Sequence, residues 1–256
     1  MDAVRSVLPA GARHVLDLGA GTGKLTSVLL DLGLDVIAVE PDDAMRALVD
    51  PRATGLAGTA ERVPLADASI DGVLVGQAWH WFDPASAVAE VRRVLRPGGT
   101  LGLLWNLLDD GVPWCAEVAR LVGMEDRLSA LGGNPGSDSD GGDPDGGDPD
   151  GGDPDGGDSG GGDPDGGDPD GGDPDGGDSD GGDPPAAGFG WTRHVEAFGQ
   201  PADVGLLLDN LRSRSVMILR TPDERAALLA AVRTVIPPGS FEVPWVCVAW
   251  RGEPLP

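Results

Sequence analysis

The sequence predicts an α/β fold: a doubly wound, mostly parallel sheet of seven strands with an antiparallel edge strand, interrupted by a disordered acidic insertion. Three observations carry that prediction. Short apolar runs alternate with helix-period segments across short loops, the pattern of strand–helix–strand units. A glycine-rich turn joins the first strand to the first helix. Residues 138–183 contain only 18 Asp, 19 Gly, 6 Pro and 3 Ser, so they hold nothing that burial could stabilise.

Strands are expected at 14–18, 35–39, 54–57, 70–75 and 100–105. The run at 70–75 is apolar enough to be buried on both faces. A helix at 22–32 follows from the spacing of Leu25, Leu29 and Leu32. Helices are also expected at 42–49, capped by Asp42 or Asp43, at 84–95, and at 113–131. The helix at 84–95 has Pro in its first turn and stops before Arg96-Pro97-Gly98-Gly99. Beyond the insertion come a strand at 193–198, helices at 202–212 and 222–235, and a strand at 243–250. Those last two strands are expected to form an antiparallel pair at the sheet edge. The layout is therefore a core over 1–132, an insertion over 133–185, and a return to the same domain over 186–256.

The formal charge is −25, from 18 basic and 43 acidic side chains. Setting the 18 insertion aspartates aside leaves 25 acidic against 18 basic groups, a net of −7. Neither part is basic, which argues against a nucleic-acid partner or an anionic membrane surface. No apolar run is long enough for a membrane span, and the first residues lack the apolar core of a signal peptide. Cys115 and Cys247 are isolated, so neither a disulfide framework nor a zinc site is readable. A cytoplasmic location is expected. Oligomeric state is not legible.

The insertion repeats Gly-Gly-Asp-Pro-Asp, with Ser139, Ser159 and Ser179 spaced 20 apart. Like charges repel and no apolar side chain offsets the ordering entropy, so an expanded coil is expected. The spacing and closing Glu of a calcium loop are missing. Weak, screened association with divalent cations is expected instead.

The most informative segment is VLDLGAGTGKLT, residues 15–26. Gly19, Gly21 and Gly23 permit close backbone approach by a nucleotide-like ligand. The phosphate-binding P-loop spacing fails, because Leu18 stands where a glycine is needed and Leu25 where Ser or Thr would hold magnesium. The dinucleotide spacing fails too, because Lys24 occupies the third glycine position. Asp17 instead suits a ligand with a positively charged amino-acid end and no phosphate. Glu40, at the end of the second strand, is placed to accept both ribose hydroxyls.

Four ordered motifs, VLDLGAGTGKLT, VIAVEPDDAMRALV, GTAERVPLADASIDGVLVGQAWHWFD and VLRPGGTLGLLWN, resemble the class I S-adenosylmethionine-dependent methyltransferases. The likeness is to the small-molecule type that includes ubiquinone/menaquinone and trans-aconitate methyltransferase-like proteins. It covers about residues 13–131 and, more loosely, 186–256. The resemblance implies a Rossmann-like methyltransferase fold and S-adenosylmethionine as cofactor. It implies that Asp17, Gly19, Ala20 and Gly21 hold the methionine part and Glu40 the ribose. Pro41 and Met45 would flank the adenine, Ala60 and Glu61 would meet its edge, and Gln77 would approach the methionine moiety.

In doubly wound sheets ligands lie beyond the carboxyl ends of the strands. Trp79, His80 and Trp81 follow the fourth strand there, and Trp105 and Asn106 follow the fifth. Trp79, Trp81, Trp105 and Asn106 are the expected acceptor-side residues. His80 is the candidate base for an acceptor hydroxyl. No metal is required, and His14, His80 and His194 form no ligand cluster. The expected activity is methyl transfer to a small-molecule acceptor at oxygen or carbon. The alternatives are a non-catalytic or degenerate S-adenosylmethionine-binding protein with a truncated N-terminal lid, and a nicotinamide-dependent oxidoreductase, which the glycine spacing disfavours.

Overall fold

The structure, a computed structural model, describes residues 2–124, 186–212, 217 and 220–256. The expected insertion lies outside the described residues. In chain order the elements are α1 (Asp2–Ser6), β1 (His14–Leu18), α2 (Lys24–Asp31), β2 (Asp35–Val39), α3 (Asp43–Arg46), β3 (Thr54–Leu56) and β4 (Ile70–Gly76). A single 3-10 turn (Trp79–Trp81) precedes α4 (Pro84–Val94), β5 (Leu95–Leu108) and α5 (Pro113–Val122). The chain closes with β6 (Phe189–Asp203), α6 (Val204–Arg212), α7 (Pro222–Val235) and β7 (Ser240–Pro254).

The seven strands form one sheet in the order β3-β2-β1-β4-β5-β7-β6. Strands β1 to β5 pair in parallel, and β7 runs antiparallel to both β5 and β6. The antiparallel strand thus sits one place in from the edge, and β6 is the edge strand. The chain order reverses between β1 and β4, which opens a crevice at the carboxyl ends of those strands.

Both faces of the sheet are covered. On one, Leu16, Val73, Leu101 and Leu103 pack against Val91 and Val94 of α4. On the other, Val15, Val36, Leu74 and Ala249 pack against α1 and α2. Glycines let α1 and the residues after it approach closely. A Cβ at Gly102 would lie 2.6 Å from Val7 Cγ2, and one at Gly72 would lie 2.8 Å from Leu8 Cδ2. The Thr100 hydroxyl donates to the Val7 carbonyl at 2.7 Å. A third cluster joins α5, α6 and α7 to Leu108, Val243 and Trp245, where β5 ends and β7 begins.

Element ends follow local chemistry. Asp42 caps α3 by accepting from Met45 N, and Asp83 caps α4 by accepting from Ser86 N. Thr221 and Glu224 form a reciprocal capping box at α7. The helix expected over 113–131 ends at Val122, because Gly123 takes φ +75° and closes the last turn. The helix expected over 42–49 is shorter, ending at Arg46. Strands β5, β6 and β7 run several residues beyond their expected bounds. Among the described residues no helix is long and apolar enough to cross a membrane. Both cysteines are free and buried.

Candidate active site

The crevice is built around the turn leaving β1. Gly19 N and Ala20 N both donate to the Val39 carbonyl, at 2.9 and 3.1 Å, which ties the turn to the end of β2. Gly19, Gly21 and Gly23 have φ of +70°, +55° and +81°, a region that costs any residue with a Cβ. A Cβ at Gly19 would lie 2.9 Å from Ala78 Cβ and 3.0 Å from Phe82 Cζ. Around Gly21 the space is open, with nothing within 4 Å of where a Cβ would stand.

Two carboxylates flank this opening. Asp17 is 1% exposed, and its Oδ2 accepts from the Thr26 hydroxyl at 2.6 Å. Burial pushes its pKa up to about 6 against the pull of the Thr26 hydrogen bonds, and the charge of Glu40 adds to the rise. Glu40 is buried as well. Its Oε2 accepts from Gly21 N at 2.8 Å and its Oε1 from Asp42 N at 3.0 Å. Each oxygen keeps a further lone pair for a hydroxyl donor. Glu40 is not the cap of α3, since Asp42 holds that place. Neither acid forms an ion pair among the described residues. An open turn with two buried, mutually repelling acids fits a ligand that brings an ammonium, a sulfonium and a pair of ribose hydroxyls.

The far side of the crevice is formed by the turn after β2 and the connection after β3. Pro41 and Met45 are exposed on the first of these. Ala60 is buried, and Glu61 accepts from Asp83 N through Oε1 at 3.0 Å. α4 holds this connection in place. Glu90 accepts from Val63 N at 2.8 Å, and Arg93 donates to the Val63 and Leu65 carbonyls at 2.9 and 2.8 Å. Beside it lies an open cleft of about 450 Å³, lined by Ala57, Gly58, Thr59, Arg62, Val63 and Pro64.

At the end of β4, Gln77 has φ +60°, in the left-handed region. It is locked there by Gln77 N donating to the Leu104 carbonyl and Nε2 donating to the Asn106 carbonyl, both at 3.0 Å. Strain of this kind is held by its surroundings and clusters at functional sites. The 3-10 turn then places its aromatic residues differently. Trp79 is 4% exposed and meets Phe82 edge-on with ring centroids 5.8 Å apart. Trp81 is 62% exposed, and the exposed His80 lies with its ring 5.0 Å from that of Trp81. Trp105 is buried and Asn106 exposed. Among the described residues no group of three His, Cys, Asp or Glu could hold a metal ion. His14 lies 3.5 Å from Asp35 at the start of β1, the opposite end of that strand from the crevice.

Sequence reasoning passed over Thr26, Ala78 and Phe82. Thr26 carried a signal: a polar residue on the inward stripe of α2, between Leu25 and Leu29, needs a buried partner. Ala78 and Phe82 carried none, since only the tertiary fold brings them against Gly19.

Residues 16–103 match the methyltransferase domain family. A methyltransferase of Mycobacterium tuberculosis, named as uncharacterized, is 55% identical over 128 residues, covering 48% of this chain and 52% of its own length. A demethylmenaquinone methyltransferase of Beutenbergia cavernae is 42% identical over 105 residues, covering 38% of this chain and 44% of its own length. The chain thus spans about half the length of the curated relatives it matches. A solved structure from Anaeromyxobacter dehalogenans, named as a proposed Type II methyltransferase, has a TM-score of 0.58 at 21% identity. That match covers 98% of this chain and 93% of the other and shows a shared fold. The seven-stranded topology and the glycine turn with its two acids agree with these likenesses: residues 16–103 match a methyltransferase domain, and the fold is the one shared with the solved methyltransferase structure.

Proposed function

We propose that this protein transfers a methyl group from S-adenosylmethionine to a small organic acceptor, at oxygen or carbon. The observation that carries the reading is the buried acid pair, Asp17 and Glu40, set around the open glycine turn. The chemistry the cofactor supplies when bound is an electrophilic methyl on a sulfonium. Asp17 attracts the cationic methionine end, with Gly19, Ala20 and Gly21 shaping the backbone around it. Glu40 accepts the ribose hydroxyls. Pro41 and Met45 flank the adenine, with Ala60 and Glu61 at its edge. Gln77, fixed in its strained turn, positions the methionine end from the β4 side.

Because a sulfonium methyl needs no covalent activation, the residues beyond β4 and β5 act by alignment and by excluding water. Trp79 and Trp105 back that region from the core, while Trp81 and Asn106 face the acceptor. The His80 imidazole would take the proton released by the acceptor hydroxyl oxygen.

Titration calorimetry with S-adenosylmethionine, S-adenosylhomocysteine and NADH tests the donor. The first two are expected to bind and NADH is not. The Glu40→Ala variant is expected to lose about 1–3 kcal/mol of donor affinity through its lost charged hydrogen bonds. Unchanged affinity in that variant would remove Glu40 from the site. Incubating methyl-labelled donor with cell metabolites then tests turnover, and a labelled small product is expected.

A further inference from the structure

Four buried side-chain nitrogens have no hydrogen-bond partner among the described residues: Trp105 Nε1, Trp250 Nε1, Arg193 Nε and Arg193 Nη2. A buried donor left unpaired costs about 1–3 kcal/mol, so four together ask for an explanation. They are not scattered. Arg193 of β6 stands directly opposite Trp250 of β7, and Trp250 directly opposite Leu103 of β5. Residues opposite one another share a sheet face, and Trp105, two positions beyond Leu103, shares it too. All four nitrogens therefore come from one face of three neighbouring strands.

Their chemistry is uniform, since all four are donors. Nε and Nη2 are neighbours on one edge of the guanidinium plane, the pair that meets both oxygens of a carboxylate side by side. Burial pushes the Arg193 pKa down, and among the described residues no neighbouring acid offsets it. Trp191 meets Trp250 edge-on, with ring centroids 6.5 Å apart, and its own N–H is already spent on the Ala186 carbonyl at 2.9 Å. It thus walls the cluster without adding a donor.

We propose that Arg193, Trp250 and Trp105 form the anchoring subsite for a carboxylate on the methyl acceptor, so that the acceptor is a small organic acid. The proposal rests on the methyl-transfer reading and adds the acceptor's class. Arg193 stands three strands from β4, about 14 Å across the sheet at ordinary strand spacing. The carboxylate and the methylated atom are therefore different groups of one molecule. Methylating the carboxylate itself would also remove the charge that the guanidinium holds.

The test uses the full chain saturated with S-adenosylhomocysteine. Benzoate and succinate are the probes, with benzamide, succinamide and phenyl phosphate as controls. Thermal melting and the indole N–H resonances are the readouts, the resonances being assigned with Trp105→Phe and Trp250→Phe. At millimolar concentration, at least one of the two carboxylates is expected to raise the melting temperature and shift both indole signals, and neither amide is. Arg193→Gln is expected to weaken that response at least about tenfold, a loss of about 1.4 kcal/mol. Its affinity for S-adenosylhomocysteine should not change. Arg193→Lys should keep a weakened response, having charge without the side-by-side pair. The proposal is overturned if no carboxylate acts on the wild type, if Arg193→Gln responds equally, or if phenyl phosphate outcompetes benzoate. Should Arg193→Gln not fold, weaker carboxylate binding in Trp105→Phe and Trp250→Phe supports the proposal and unchanged binding overturns it. If S-adenosylhomocysteine fails to bind while a carboxylate still shifts both indoles, the donor reading falls and this subsite stands.

Discussion

Asp17 serves two opposed demands. In the proposed site a ligand ammonium would favour its ionised form, while the packed end of β1 favours the neutral one. Its pKa is about 6 in the folded protein against 3.8 for the free side chain. The folded state therefore holds the proton more tightly than the unfolded chain. Between pH 4 and 6 stability falls as pH rises, and above 6 the full penalty is present, on the order of 3 kcal/mol. Asp17→Asn removes that penalty and keeps an oxygen for Thr26. The ligand-free variant is expected to melt several degrees higher than wild type at pH 7. The gain should shrink between pH 6 and pH 4, and donor affinity should drop. Melting curves at three pH values and one calorimetric titration check it. For His80, His80→Gln is expected to lower kcat about 100-fold. An unchanged kcat would show that His80 holds no proton in the reaction. Ala78 and Phe82 illustrate what single residues conceal: their types are ordinary, and only the tertiary fold sets them against Gly19.

Among the elements, the starts of β1 and β4 are stapled by one side chain. Asp71 Oδ2 accepts from Arg13 N at 2.9 Å and His14 N at 2.8 Å, while Arg96 Nη1 donates to Oδ1 at 2.6 Å. Burial alone would raise the Asp71 pKa, but the two backbone donors and the guanidinium outweigh it and hold it at about 2. A depressed pKa contributes stability above about pH 4 that is lost as pH falls toward 2. Asp71→Asn is expected to cost about 1–2 kcal/mol at neutral pH, and the gap to wild type should close toward pH 2. Denaturant melts at pH 7 and pH 3 measure it. The strands at 14–18 and 35–39 and the helix at 222–235 form as the sequence reading expected. Apolar period and cap chemistry specify them locally. The last strands do not follow local rules. Gly199 and Pro201 read as breakers in sequence, yet β6 continues through both to Asp203, because β7 pairs with it along its whole length. On an edge strand a proline removes no needed donor.

For the molecule as a whole, the division of charge matters more than its total. Residues 138–183 carry 18 of the 43 acidic groups and no apolar side chain other than proline. Nothing in that composition can contribute to a core. Deleting these 46 residues is expected to leave donor affinity within about twofold and the melting temperature within a few degrees, since loop length enters closure entropy only logarithmically. A collapsed or insoluble product would show that the acidic tract has a structural task. The class of fold, the glycine turn and the two acids beside it were determined by the sequence alone, because each rests on spacing along one short stretch of chain. The place of β7 between β5 and β6, the left-handed turn at Gln77 and the gathering of Arg193, Trp250 and Trp105 on one face were decided by the tertiary structure. Their partners lie far away in sequence, and pairing energy between distant strands leaves no mark on the local pattern of either one.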